Sequence, residues 1–207
     1  MEVSMSKVSC IVLAAGAGRR MGHDENKIFI KLGQKSIIQW TLSHINQVKA
    51  VSEVILVVAD GEASYMEQHI ASLGLSKSIE IVTGGKERQN SVYAGLQAVG
   101  DDIDIVLVHD GARPLAKPEL FERVIEGAET HGAVTIGVPS IDTIKRVDID
   151  GQVLETLNRN ELMNIQTPQG FQKDIFKEAQ ETAKQDAYLG TDDVSLVEYI
   201  GKDVYIL

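Results

Sequence analysis

The stretch Val8-Ser-Cys-Ile-Val-Leu-Ala-Ala-Gly-Ala-Gly-Arg-Arg-Met-Gly-His-Asp-Glu-Asn-Lys27 decides the fold. Residues 8–12 are an apolar, partly β-branched run, the pattern of a strand, and the chain then passes directly into alanine and glycine. Small residues after a strand let backbone N–H groups approach a ligand closely, because no bulky side chain stands in the way. Arg19, Arg20 and Lys27 follow within a few positions. Bare amides and fixed positive charge therefore occur together, as a chain of phosphates requires.

Outward from this stretch, residues 54–59, 79–82, 103–109 and 133–138 are further strand-like runs. Between them, residues 37–48, 63–73, 89–99 and 118–130 carry apolar side chains at helical spacing. The run at 103–109 is almost continuously apolar, as expected of a strand covered on both faces. This alternation predicts an α/β fold, a Rossmann-like three-layer sandwich with a mostly parallel sheet. Ligands in such sheets bind beyond the carboxyl ends of the strands, so the loops at 14–22, 84–91 and 109–114 are expected on one rim.

Residues 139–158 break the rhythm. Segments 140–147 and 152–157 read as two short strands around Asp148-Ile-Asp-Gly151, a protruding β-hairpin arm. The arm has too little apolar surface to stand alone and is expected to pack on something, another subunit being one possibility. Residues 171–183 and 193–199 read as helices and 203–207 as a last strand, with no repeat or linker to divide the 207 residues into two domains.

Thirty acidic against twenty basic residues leave a formal charge of −10, which argues against nucleic acid as a partner. A local cluster of Arg and Lys can still hold a phosphorylated small molecule. Cys10, the single cysteine, permits no internal disulfide, which suits the cytoplasm. Its place in the first strand makes it a packed small residue rather than a nucleophile. No stretch approaches the ~20 apolar residues of a membrane span. The apolar residues 8–15 run into a glycine-arginine loop rather than a cleavage site, so no signal peptide is expected.

The glycine loop fits neither of two familiar fingerprints. The third glycine of a dinucleotide loop is here Met21, and Trp40 stands about 20 positions on from the loop, where an acidic residue would reach a ribose. A Walker loop needs Gly-Lys followed by Ser or Thr, which neither Gly18-Arg-Arg-Met-Gly22 nor Gly85-Lys-Glu87 supplies. A tight turn without a ligand does not account for the neighbouring basic cluster. Val108-His-Asp-Gly-Ala-Arg-Pro114 ends a buried strand in a carboxylate. Asp110 is there a hard oxygen ligand suited to Mg2+, or an Asp that opens a turn before Pro114. His109 points the other way by strand alternation and is expected to pack. Gly84-Gly-Lys-Glu-Arg-Gln-Asn-Ser91 opens a helix whose free N–H groups and Ser91 hydroxyl can read a base or hold phosphate. Ser91 has the alternative of bonding back to its own helix.

In order along the chain, Leu13–Gly22, Lys27, Gly84–Ser91, Val108–Pro114, Asp142-Thr-Ile-Lys-Arg146, Arg159-Asn160 and Gln166-Thr-Pro-Gln169 resemble the 2-C-methyl-D-erythritol 4-phosphate cytidylyltransferase family of the non-mevalonate isoprenoid pathway. A close relative of that family makes CDP-ribitol from ribitol 5-phosphate; Ala15 and the Gly-Ala pair after Asp110 are more like the erythritol enzymes. The resemblance implies transfer of CMP from CTP to a sugar-alcohol phosphate with release of pyrophosphate. It implies Arg20, Lys27 and Arg159 as catalytic charges. Ala14, Ala15, Gly16, Ala17 and Gly18 would wrap the triphosphate. Gly85, Lys86, Gln89 and Ser91 would bind the cytidine part, Arg113, Thr143 and Thr167 the sugar phosphate, and Asp110 the Mg2+. It also implies a homodimer through the 139–158 arm, no membrane partner and a cytoplasmic location.

Two features depart from the family pattern. Pro-Lys-Gln is often found where this chain has Asn26-Lys27-Ile28. The family also continues beyond the last strand with a Gly…Asn-x-Lys-x-Thr segment and a closing helix that help hold the sugar phosphate. These 207 residues stop before it, so a CTP-binding chain with impaired turnover is the alternative expectation.

Overall fold

The computed structural model describes residues 6–16 and 26–207. In chain order the elements are β1 (Val8–Leu13), β2 (Lys31–Leu32), β3 (Lys35–Ser36), α1 (Ile37–Ile45), β4 (Val51–Val58), α2 (Ala63–Ile70) and β5 (Ser78–Thr83). Then come α3 (Arg88–Gln97), β6 (Ile105–Asp110), α4 (Pro118–His131), β7 (Ala133–Pro139), β8 (Lys145–Val147) and β9 (Val153–Thr156). The chain ends with β10 (Met163–Gln172), α5 (Lys173–Gln185), α6 (Val194–Tyr199) and β11 (Tyr205–Ile206).

Seven strands form one sheet in the order β11-β7-β10-β6-β1-β4-β5. Strand β1 pairs in parallel with β4 and β6, and β4 with β5. Strand β10 runs antiparallel to both of its neighbours, β6 and β7. Alternation along β1 explains the layers. Val8, Cys10 and Val12 face a core shared with Ile38 and Leu42 of α1, Met66 of α2 and Phe121 and Val124 of α4. Ile11 faces the opposite core, with Val92 of α3, Phe176 of α5 and Leu196 of α6. The architecture is the three-layer α/β sandwich expected from the alternation of elements. Cys10 is wholly buried, and burial pushes its thiol pKa up, which leaves an inert packed side chain.

Register explains the rim. Leu13 lies opposite both Val57 and Asp110, and Val58 lies opposite Thr83, so β1, β4, β5 and β6 finish at one level. The arm is the antiparallel pair β8–β9, a separate two-stranded sheet shorter than the sequence pattern suggested.

Strand β10 was not legible as a strand. It is written Met-Asn-Ile-Gln-Thr-Pro-Gln-Gly-Phe-Gln, and an internal proline argues against a central strand. Its register with β7 jumps from Gln166–Ile136 to Gln169–Thr135. Thr167 and Pro168 sit in that irregularity, where no ladder N–H is needed, so the strand tolerates the proline.

Candidate active site

The first wall of the rim is built by close backbone packing. The Ala14 N–H donates to the Val57 carbonyl at 2.7 Å, and the Gly84 N–H to the Val58 carbonyl at 2.8 Å. A Cβ on Gly84 would stand 2.8 Å from Ser91 Oγ and 3.0 Å from the Ala15 Cβ, and one on Gly85 only 2.4 Å from the Asn90 Cβ. Side chains are therefore excluded where the loop after β1 meets the start of α3.

Ser91 is buried there, and its hydroxyl oxygen accepts from the Gly85 N–H at 3.1 Å and lies 3.2 Å from the Glu87 carbonyl. The Gln89 amide donates to the Tyr188 carbonyl at 3.0 Å and accepts from the Gly190 N–H at 3.0 Å. Both residues reach the rim with their polar atoms engaged in holding its loops. Lys86, Gly85 and Gly16 are exposed beside them. Ala17, Gly18 and Arg20 lie outside the described residues.

Lys27 opens a 3₁₀ turn, Lys27–Phe29, capped by Asn26. Asn26 has φ −60°, an angle that proline also adopts.

The second wall centres on Asp110. Its carboxylate accepts from Arg113 Nε at 3.0 Å and lies 3.6 Å from an Arg88 nitrogen. Burial pushes the Asp110 pKa up, but the Arg113 hydrogen bond and the Arg88 and Arg113 charges outweigh it and hold the carboxyl below its ordinary value. Arg88 is held in turn by Asp193, which is only 1% exposed and accepts at 2.7 Å. Burial raises the Asp193 pKa to about 6, with Arg88 opposing the rise.

The bulge in β10 delivers Thr167, whose hydroxyl oxygen accepts from the Asp110 N–H at 3.2 Å and lies 3.0 Å from His109 Nδ1. His109 is fully buried against Phe121, and burial lowers its pKa to about 4. The ring is therefore neutral and shares a hydrogen bond with Thr167 through Nδ1, while Nε2 finds no partner among the described residues. His109 packs, as strand alternation implied, and it also aims Thr167.

Arg88, Asp110, Arg113, Gln166, Thr167 and Asp192 line a cleft of about 370 Å³. Thr143 and Arg159 lie on the arm side. Both are exposed, and the only side-chain hydrogen bond of Arg159 among the described residues is to the Ile141 carbonyl at 3.4 Å. Neither makes a hydrogen bond or ion pair to the Asp110 cluster among the described residues.

The donor set at Asp110 fits a hard divalent cation that keeps most of its shell for other oxygens. Asp110 is ionised and partly open to the cleft, and Asp192 lines the same cleft. Among the described residues no three His, Cys, Asp or Glu come together in a cage. Substrate phosphates and water would have to supply the remaining ligands.

The description "2-C-methyl-D-erythritol 4-phosphate cytidylyltransferase" belongs to a family model that matches residues 8–207. The chain belongs to this cytidylyltransferase family. A cytidylyltransferase of that name from Pelotomaculum thermopropionicum is 44% identical over 204 residues, covering 98% of this chain and 86% of the relative. One from Alkaliphilus metalliredigens is 45% identical over 203 residues, covering 98% and 84%. Among solved structures, the 4-diphosphocytidyl-2C-methyl-D-erythritol synthase of Anaerococcus prevotii superposes with a TM-score of 0.88 at 31% identity, covering 98% of this chain and 88% of that one.

In this cytidylyltransferase, the sequence reading left three residues of the Asp110 wall without a role: Arg88, Asp192 and Asp193. Arg88 stood inside a quoted motif, and the two aspartates precede a helix, where acidic residues ordinarily serve as caps. Asp192 does cap, accepting from the Ser195 N–H at 3.0 Å. The signal that was available is the doubling: only one of two adjacent aspartates can cap, and a second one that is buried needs a cation.

Proposed function

We propose that the chain transfers the cytidylyl group of CTP to 2-C-methyl-D-erythritol 4-phosphate, releasing pyrophosphate, as a step of non-mevalonate isoprenoid synthesis. The carrying observation is Asp110, a carboxylate held ionised at the carboxyl end of β6 on the same rim as the glycine loop. The loop of Ala14, Ala15, Gly16, Ala17 and Gly18 wraps the triphosphate, with Ala14 anchoring the loop through its N–H bond to Val57 and the amides after Ala14 taking the phosphates. Lys86 and the Gly85 backbone reach the cytidine part, while Gln89 and Ser91 keep their loop in shape. Arg113, Thr167 and, from the arm, Thr143 receive the sugar phosphate.

A phosphate oxygen of the acceptor attacks the α-phosphorus in line, the bond to the pyrophosphate oxygen breaks, and no protein nucleophile takes part. Arg20 and Lys27 stabilise the charge that grows on the α-phosphate, and Arg159 aims the attacking phosphate. A Mg2+ held by Asp110 supplies charge neutralisation to the phosphates when bound.

The arm exposes apolar side chains: Ile149 is 100% and Ile141 83% exposed. A lone two-stranded hairpin is marginal in water, and cover from a second copy of the chain would give both hairpins a packed face. We therefore read the arm as the dimer contact that also sets Thr143 and Arg159. Among the described residues no helix is long and apolar enough to cross a membrane, and this reading puts the enzyme in the cytoplasm.

Pyrophosphate release should require CTP, Mg2+ and 2-C-methyl-D-erythritol 4-phosphate together. Equal or faster release with ribitol 5-phosphate would move the assignment to the ribitol relative. CTP binding without turnover on either acceptor would leave a nucleotide-binding protein.

A further inference from the structure

Asn26 is buried between two parts of the rim, and every polar atom of its amide is used. Nδ2 donates to the Ala14 carbonyl at 2.9 Å and reaches a Glu62 carboxylate oxygen at 3.4 Å. Oδ1 accepts from the Ile28 N–H at 3.4 Å, which caps the turn that begins with Lys27. Ala14 is itself fixed, because its N–H donates to Val57 of β4. One amide thus joins the start of the glycine loop to the turn that carries the lysine. Ile28, buried next to Lys27, anchors the far side of that turn in the core.

We propose that Asn26 is a positioning residue for Lys27, holding its ammonium at the reacting phosphate through the tie to the Ala14 carbonyl. The proposal rests on the reading of Lys27 as a charge that acts in the transition state. A group that matters mainly in the transition state loses rate, rather than ground-state affinity, when its aim drifts. Replacing Asn26 should therefore lower kcat and leave the KM for CTP nearly unchanged. The effect should also vanish when the lysine is already gone.

The experiment compares the parent, Asn26→Asp, Lys27→Ala and the double variant by steady-state kinetics with saturating acceptor. Asn26→Asp keeps the capping oxygen, removes the amide donor to Ala14 and Glu62, and adds a carboxylate beside Glu62. It should lower kcat about fivefold, the worth of one buried hydrogen bond, with the KM for CTP within about twofold. Asn26→Ala removes both bonds without placing a new charge beside Glu62, and should lower kcat at least as much. In the Lys27→Ala background neither change should cost anything further. An unaltered kcat in both Asn26 variants overturns the proposal, and so does an equal drop with and without the lysine. If Lys27→Ala alone leaves kcat unchanged while Asn26→Asp lowers it, the lysine's assignment is what fails and the proposal falls with it.

Discussion

Asp110 and Arg159 are both charged residues assigned to phosphate chemistry, yet the molecule holds them in opposite ways. Asp110 ends a central strand, its N–H donates to Thr167, and its carboxylate lies between Arg88 and Arg113. The second tier is also fixed: Asp193 holds Arg88, and His109 holds Thr167. Arg159 stands exposed at the base of a hairpin whose four β9 residues are all exposed. The Asp110 wall is preorganised by the single chain, so its groups need little further ordering to act on the proposed nucleotide. The arm residues Thr143 and Arg159 have no such second tier among the described residues, and in the proposed dimer they would gain a fixed geometry against the partner. Nucleotide binding and acceptor positioning should therefore be separable.

Deleting residues 140–157 is the most drastic way to break that comparison. Pro139 pairs with Met163, so residues 158–162 can still close the turn between β7 and β10. The deleted protein should be monomeric by light scattering and should still bind CTP within about threefold of the parent. Turnover should fall by about four orders of magnitude, because Thr143 is gone and Arg159 has lost its frame. A stable dimer after the deletion would remove the arm from the interface. A loss of CTP affinity equal to the loss of turnover would show that rim and arm are not separate.

Paired arginine substitutions test the same contrast in stability. Arg88→Ala strands Asp193, which is 1% exposed, and should cost about 4 kcal/mol in urea denaturation at neutral pH. Arg146→Ala, on the arm, breaks an ion pair with Glu155 of similar length, 2.8 Å, between two exposed side chains, and should cost no more than about 0.5 kcal/mol. Similar losses for the two would mean that burial does not separate these regions.

What was legible in the sequence follows the same division. Strands β1, β4 and β6 are buried over most of their length, so they had to be apolar and β-branched, and they announced themselves; the edge strand β5 is only half-buried and was marked by its β-branched residues and the glycines that follow. Asp110 was legible because a carboxylate ending such a strand has nowhere to point but the rim. Strand β10 was hidden because its bulge admits a proline that the rule for central strands forbids. The Arg88–Asp193 pair was hidden because its members are 105 residues apart and only the fold brings them together. Ser91 and Gln89 were legible as rim residues, but their local bonds are a matter of rotamer, which no spacing reveals. The packing of His109 was legible from alternation, whereas its bond to Thr167 depends on the same unseen bulge.

The smallest effect lies inside the rim, in His109. Its pKa drops from an ordinary 6.5 to about 4 because burial disfavours the charged ring. The unfolded chain takes up a proton below pH 6.5 and the native state does not. The stability from neutral His109 is thus present above pH 6.5 and lost as pH falls towards about 4, a total of about 3 kcal/mol. Asp193 works with the opposite sign. Its pKa is raised from 3.8 to about 6, so the native state binds the extra proton and gains stability as pH falls through that window. The two contributions nearly cancel in the parent, whose stability should change little from these groups between pH 6.5 and 4. The signature appears in His109→Asn, whose side-chain amide can still bond the Thr167 hydroxyl in either direction but takes no proton. Whatever it loses in packing at pH 7, it should gain about 3 kcal/mol relative to the parent on going to pH 4, read from urea midpoints at each pH. A parallel pair of curves would mean that His109 is already open to water in the native state, and that the Thr167–Asp110 arrangement is not held from within the core.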